Sequence, residues 1–273
     1  MPDPAHEPLL RLGLFLGVWL LLALAEWRWP RRREDMQRGP RWTVNFGLVL
    51  IDSLALRLLM PFLAVEAALL AGERGWGLFN LVEAPYWLAF LVSVVLLDLA
   101  IYWQHRIFHL VPWLWRLHRV HHSDLHLDAS SGIRFHPVEI LLSMLIKIAL
   151  VAALGAPALA VLVFEILLNL FSLFTHANLA LPARVDRVLR ALVVTPDMHR
   201  VHHSILHGEQ LRNFGFNLSV WDRLFRSYRF DAEAGQLGMT IGVNEFRDAR
   251  RLGLGALLVQ PFLARREEQG GQP

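Results

Sequence analysis

The chain has 273 residues, 55 % of them hydrophobic, against roughly 45–50 % in ordinary soluble domains, and its mean hydropathy of +0.38 points to a membrane protein. It has no cysteine, which excludes disulfides, thiolate metal ligands, iron–sulfur clusters and cysteine nucleophiles. The formal charge is only +3, and Lys147 is the one lysine among the cations; such arginine-borne basicity reads as membrane topology, and no basic patch interleaved with aromatics suggests nucleic-acid binding.

Leu9 to Trp27 is apolar over about the length of a span. Ala23-Leu24-Ala25 before Glu26 would suit a cleavable leader, but Asp3 and Glu7 stand where such a leader is basic. Arg28, Arg31, Arg32, Arg33, Arg38 and Arg41 follow the run and mark the cytoplasmic side, leaving the N-terminus outside. A second span returns from Thr43 to about Ala71, with Pro61 expected to kink or end its helix. Asp52 and Arg57 inside it require partners, each other or a neighbouring helix. Gly72 to Pro85 reads as a short outer connection.

Tyr86 to Tyr102 forms a third span whose helical pattern continues into His105 and His109. Asp98, Tyr102, His105 and His109 are spaced 4, 3 and 4 residues apart, so they share one stripe, and Asp98 is a candidate acceptor for an imidazole N–H or a partner for another span. Pro112 ends this helix, an interfacial Trp113-to-His118 stretch follows, and Ser123 to Pro137 reads as a loop carrying His126 and His136. Val138–Leu154 and Ala158–Leu173 are the fourth and fifth spans. Gly155-Ala156-Pro157 between them is short enough only for a helical hairpin. Reflection about Ala156 sets Lys147 and Glu165 at one depth, which predicts an intramembrane ion pair. Glu165, Asn169, Ser172 and His176 repeat the 4, 3, 4 spacing toward the cytoplasmic end.

After Pro182 the chain becomes charged. Asp231 to Gln236 reads as loop, and Leu252 to Leu263, flanked by arginines, is short for a span and reads as an amphipathic or surface-lying helix. The predicted fold is all-α: a polytopic bundle of about five spans under a cytoplasmic, histidine-rich helical cap. Residues 1–85 supply two helices and the arginine-rich loop, 86–230 a domain of three spans plus histidine motifs, and 231–273 a tail with a possible interfacial helix.

One phrase occurs twice, His118-Arg119-Val120-His121-His122-Ser123-Asp124-Leu125-His126 and His199-Arg200-Val201-His202-His203-Ser204-Ile205-Leu206-His207, differing only at Asp124 and Ile205. Histidines at i, i+3 and i+4 lie on one helical face, so each copy is expected to aim three imidazoles at one point. With His105 and His109 this gives eight convergent histidines, more than one ion needs, so the arithmetic favours two metals. Imidazole alone suits iron, zinc, copper or nickel. His176 is a candidate ninth ligand. Tyr102, Asn169 and Ser172 on the two stripes, His126 and His207 one turn past each triplet, and His136 before Pro137 are candidate supporting residues. The five-span count sets all nine candidate ligands on the cytoplasmic side.

His105-x-x-x-His109, His118-x-x-His121-His122 and His199-x-x-His202-His203, with Arg134-Phe135-His136-Pro137-Val138-Glu139, Asn213-Phe214-Gly215 and Trp221-Asp222-Arg223-Leu224-Phe225, resemble the fatty acid hydroxylase superfamily. That is the membrane di-iron group of sterol desaturases, sterol methyl oxidases and alkylglycerol monooxygenase, and the resemblance runs over roughly residues 90 to 230. It implies that the eight motif histidines bind two Fe2+ ions that activate O2 to hydroxylate or desaturate a C–H bond of a sterol-like, fatty acyl or alkylglycerol-type lipid. Electrons then come from an external reductant, since no flavin, haem or cysteine-cluster motif is present; the arginine-rich inner face either docks an acidic ferredoxin, flavodoxin or cytochrome or serves only to set orientation. The scarcity of lysine fits a GC-rich bacterial genome and hence a bacterial inner membrane. The rival readings are a membrane-embedded zinc hydrolase, which leaves half the histidines without a role, and a metal transporter or sensor, which would want polar groups on both faces.

Overall fold

The computed structural model describes residues 7–33 and 38–263, and among these the regular structure is helical, with three isolated β-bridges and no strand. Its long helices are α1 (Glu7–Arg28), α2 (Arg38–Leu59), α5 (Tyr86–Leu110), α7 (Pro137–Leu154) and α8 (Ala158–His176). Each of these, α2 together with its continuation, is long and apolar enough to cross a membrane. Between α2 and α5 lie α3 (Ala64–Arg74) and the single turn α4 (Leu78–Leu81). The helix stops at Leu59, just before Pro61, whose ring removes a donor from any continuing ladder. The predicted kink is therefore a break.

In α8, 50 % of the apolar window is buried, against 6 % in α1, so α8 is the central helix and α1 a peripheral one. Leu97, Val151, Val161 and Phe164 of α5, α7 and α8 pack with Ala64, Ala67 and Ala68 of α3. The hairpin joining α7 to α8 turns at Gly155, whose φ of +64° suits a residue without Cβ, and a Cβ there would also meet the Trp76 carbonyl oxygen at 2.6 Å.

Lys147 and Glu165 pair as predicted, Nζ to Oε1 at 2.7 Å. Arg11 of α1 joins them, reaching Glu165 Oε2 at 2.9 Å, so the carboxylate is held between two cations. Asp52 and Arg57 do not pair: Asp52 is buried, Arg57 is exposed, and Asp52 Oδ1 has no hydrogen-bond partner. Residues five apart lie on different faces of a helix, which explains the miss.

The cap comprises α6 (Pro112–His122), a 3₁₀ turn at Ala129–Ile133, α9 (Ala183–Leu189), α10 (Pro196–His202), α11 (His207–Gln210), α12 (Val220–Leu224), α13 (Gly235–Gly238) and α14 (Leu254–Val259). Several arginines of the N-terminal cluster bind it. Arg41 bridges Asp124 and Asp128 at 2.8 and 2.7 Å, Arg31 reaches Asp197 at 3.0 Å, and Arg32 donates to Met239 O. Those side chains tie the bundle to the cap. The C-terminal apolar stretch holds a short helix packed on one side: Leu257 is fully buried against Leu48 and Val120, Arg119 donates to Gln260 O and Leu263 O, and Val259 and Phe262 are exposed. Arg265 and Arg266 lie outside the described residues.

Candidate metal centre

Nine buried histidines converge in two groups, each with its ligand atoms within 4.8 Å of one another. His105, His109, His118, His122 and His202 form one; His121, His176, His199 and His203 form the other. α5 and α8 end at the cap and deliver His105, His109 and His176 from below. α6 and α10 lie across those ends and carry the two repeats.

Each repeat is divided between the groups, contrary to the expectation that a triplet aims at one point. At about 100° per residue, i and i+4 lie 40° apart whereas i+3 points about 100° away from i+4. Accordingly His118 and His122 share a group while His121 joins the other, and His199 and His203 share a group while His202 crosses over. The two repeats thus exchange their i+3 histidines, an approximate two-fold relation between the groups.

In the group of four, His176 Nε2 lies 2.9 Å from His121 Nε2, 3.1 Å from His199 Nε2 and 3.2 Å from His203 Nε2. His176 Nδ1 donates to Ser172 O at 2.7 Å, so in the neutral ring Nε2 is a lone pair facing three other nitrogens. Such crowding is unfavourable unless a cation sits among the lone pairs. With metal–nitrogen bonds of about 2.0–2.1 Å, adjacent ligand nitrogens stand roughly 2.8–3.4 Å apart for right-angled to tetrahedral geometry, which these spacings fit.

In the group of five, three tautomers are fixed from outside. His105 Nδ1 donates to Phe214 O at 2.8 Å, His202 Nδ1 to Arg212 O at 2.8 Å and His118 Nδ1 to the Glu139 carboxylate at 2.7 Å. The Nε2 atoms of all three are buried and have no hydrogen-bond partner, as are both ring nitrogens of His109 and His122. Buried imidazole nitrogens left bare on one side and oriented by a carbonyl or carboxylate on the other are the arrangement of metal-binding histidines. The donor set fits a pair of divalent metal ions.

Burial pushes His118 down to about 3. Burial first, and then the surrounding imidazoles, hold His121, His122, His199, His202 and His203 well below the usual histidine value. The rings are neutral at physiological pH, as metal binding requires. Burial alone would raise the Asp124 carboxyl, but the guanidiniums of Arg41 and Arg134 hold it well below the ordinary range.

Among the supporting residues, Ser172 accepts from His176 and passes its own hydroxyl hydrogen to Gly132 O at 2.6 Å. Gly132 must be glycine here, because a Cβ would lie 2.3 Å from the Ser172 carbonyl oxygen. Tyr102 bonds Ser227 at 2.7 Å and stacks on Phe225. Asp98 does not meet an imidazole: it accepts from Trp221 Nε1 at 2.7 Å and Leu218 N at 3.3 Å, because two helical turns, about 10 Å, separate it from His105. His136 caps α7, accepting from Val138 N and donating to Leu258 O. The His126 carbonyl accepts from Arg41, while His207 and Asn169 are exposed. The sequence reading missed Glu139, although an acid in the first turn of an apolar span is itself a signal. It also missed Phe135, whose ring stacks on His121 at 4.5 Å and 6°.

The chain is 31 % identical over 137 residues to the ornithine lipid hydroxylase OlsE of Rhizobium tropici, covering 50 % of this chain and 40 % of that protein. It is 26 % identical over 239 residues to the alkylglycerol monooxygenase of Danio rerio, covering 85 % and 50 %, and 26 % identical over 180 residues to human lathosterol oxidase, covering 66 % and 56 %. It spans about half the length of these curated relatives. No solved structure matches it. The fatty acid hydroxylase family profile matches residues 90–227, a stretch that holds all but the first turn of α5, both histidine repeats, Glu139 and the Arg212–Phe214 carbonyls. With the histidine cage lying inside that match, the chain belongs to the fatty acid hydroxylase family.

Proposed function

We propose that this protein is a membrane-bound, O2-dependent lipid hydroxylase or desaturase whose nine buried histidines hold two Fe2+ ions, five on one and four on the other. The observation that carries this reading is the pair of buried all-imidazole groups, each with its ligand atoms within 4.8 Å of one another and the four-histidine one converging on His176 Nε2. The relatives' names supply the substrate class: OlsE acts on an ornithine lipid, and the others on an alkylglycerol and a sterol. The bound ions would supply the O2 chemistry, drawing electrons from an acidic ferredoxin, flavodoxin or cytochrome.

The chain's own residues prepare the site for that chemistry. Neutral imidazoles add no negative charge, so the ions keep a strong positive field. Glu139, Phe214 O and Arg212 O fix which nitrogen of His118, His105 and His202 faces inward. Phe135 and Phe216 lie against the histidines, Phe216 between His105 and His199 and so against both groups, and they keep water from that side. The spans beneath admit a lipid laterally, and the oxidised carbon is then near its polar end or on a compact ring. The arginine asymmetry favours an N-terminus outside and a centre on the cytoplasmic side, and the scarcity of lysine a bacterial inner membrane. A zinc hydrolase would leave one whole group of histidines without a task.

Metal counting and Mössbauer spectroscopy on protein made with iron-57 test this directly. Two coupled irons per chain are expected, and His202→Ala with His203→Ala, which takes one ligand from each group, should abolish the coupling. One tightly held zinc, with no iron taken up after anaerobic reconstitution, would overturn the reading.

A further inference from the structure

Asp98 stands at the midpoint of the 25-residue α5, a helix about 37 Å long. A hydrocarbon core is about 30 Å thick. Even where the inner boundary falls level with His105, seven residues further on, Asp98 lies about 10 Å inside it. Yet its carboxylate is bonded by Leu218 N and Trp221 Nε1, groups that follow the second histidine repeat. The segment around α12 therefore descends from the cap to bilayer depth.

Backbone outside a helix survives there only when protein satisfies its polar groups. It is satisfied: Val194 N donates to Asn217 O at 2.9 Å, Ser219 N to Leu192 O at 3.0 Å, and the Ser219 hydroxyl to Arg190 O at 2.7 Å. These bonds carry the end of α9 down with the segment. The outward surface of the pair is apolar, with Val188 72 %, Leu192 67 % and Leu224 65 % exposed. It continues the lipid-facing side of α5, since Phe225 packs on the exposed Trp103 at 4.8 Å. Arg184, Arg187 and Arg226 are exposed around it and pair with no described carboxylate.

We propose that this face, built from α9 and residues 217–226, is immersed in the leaflet on the histidine side, a phospholipid surface, with Arg184, Arg187 and Arg226 at the level of the phosphates. Apolar side chains of this size exposed together mark a contact surface, and arginine is suited to phosphate above an apolar body. The cap is then set into the bilayer rather than standing on it. This holds whether or not the metal centre oxidises lipids.

The chain has no native cysteine, so single nitroxide labels can be placed without background. Full-length protein carrying Val188→Cys, Leu192→Cys or Leu224→Cys would be labelled in phosphatidylcholine–phosphatidylglycerol nanodiscs and relaxed with O2 and with chromium oxalate. Leu58→Cys on α2 serves as the lipid control and Asp248→Cys on the cap as the aqueous one. The expected result is relaxation at all three sites severalfold stronger with O2 than with chromium oxalate, as at residue 58. Relaxation like that of residue 248 would overturn the proposal, as would protection from both reagents, the sign of a protein partner. Hydroxyl-radical footprinting of the unmodified protein in the same discs gives a second reading: Leu192 and Leu224 unoxidised while Leu237, 66 % exposed elsewhere on the cap, is oxidised. Oxidation of all three would refute it.

Discussion

Glu139 Oε1 accepts the Nδ1 hydrogen of His118 at 2.7 Å, both side chains being buried, and the second carboxylate oxygen of Glu139 has no partner. The carboxylate therefore holds one ring in place and makes its inward nitrogen a stronger donor. Glu139→Ala removes that anchor, and metal affinity of the five-histidine group is expected to fall about 10- to 100-fold. Glu139→Gln, which keeps an acceptor without the charge, should lose less. Chelator competition on the loaded protein measures both, and equal affinity in wild type and Glu139→Ala would show that His118 is oriented by packing alone.

Glu165 lies between Lys147 and Arg11 at 2.7 and 2.9 Å, the carboxylate buried and the two cations half-buried. The two cations are not equivalent to their shared anion. Glu165→Ala takes the counter-ion from Lys147, while Arg11 keeps Glu7 at 2.8 Å, and is expected to cost about 3–5 kcal/mol. Lys147→Ala leaves Glu165 still paired with Arg11 and should cost distinctly less. In a double-mutant cycle the Lys147–Glu165 coupling should fall within about 0.5–3 kcal/mol. Unfolding in detergent micelles reads these values, and zero coupling would mean that Arg11 alone neutralises the site.

Much of this was legible because the informative residues recur at helical spacing. The five spans, the hairpin at Gly155, the Lys147–Glu165 pair and the gathering of nine histidines all follow from periodicity 3.6 and from the cost of charge in lipid. What spacing could not show is where a side chain's partner lies on another element. Asp98 shares a stripe with His105 but bonds Trp221, 123 residues away, whereas the partner of His118 is Glu139 on α7. The division of each repeat between two groups was hidden for a related reason: a helical face is broad enough to serve two centres, and only the neighbouring helix decides which imidazole goes where.

The buried histidines make the metal-free protein sensitive to acid. His118 is pushed down to about 3 by burial, whereas an unfolded histidine titrates near about 6.5. Between those values the unfolded chain binds the extra proton, so stability rises with pH across that window, is fully present above about 6.5 and is lost as pH falls toward 3. Each such histidine adds a slope of up to about 1.4 kcal/mol per pH unit, and His121, His122, His199, His202 and His203 are lowered in the same direction. Asp124 is depressed as a carboxylate, so its contribution is lost only below about pH 4 and stays constant between pH 5 and 7.5. Metal-free protein should therefore melt at a clearly lower temperature at pH 5 than at pH 7.5. Equal midpoints would mean that the cage opens to water when empty.

Asn213 links backbone conformation to the metal groups. Its φ of +55° is left-handed, and the carbonyls on either side, Arg212 O and Phe214 O, accept from His202 and His105. The side chain secures that turn by donating to Met198 O and Arg229 O and accepting from Arg229 N, all within 2.9 Å. Asn213→Gly keeps the left-handed backbone at no steric cost and loses only the side-chain bonds. Asn213→Ala loses the same bonds and pays a further cost of about 1 kcal/mol or more for a Cβ in that region. Alanine should therefore be the worse substitution in melting temperature and in metal retained by the five-histidine group, with the four-histidine group less affected because neither carbonyl serves it. If glycine and alanine behave alike, the side-chain bonds alone hold the two carbonyls in place.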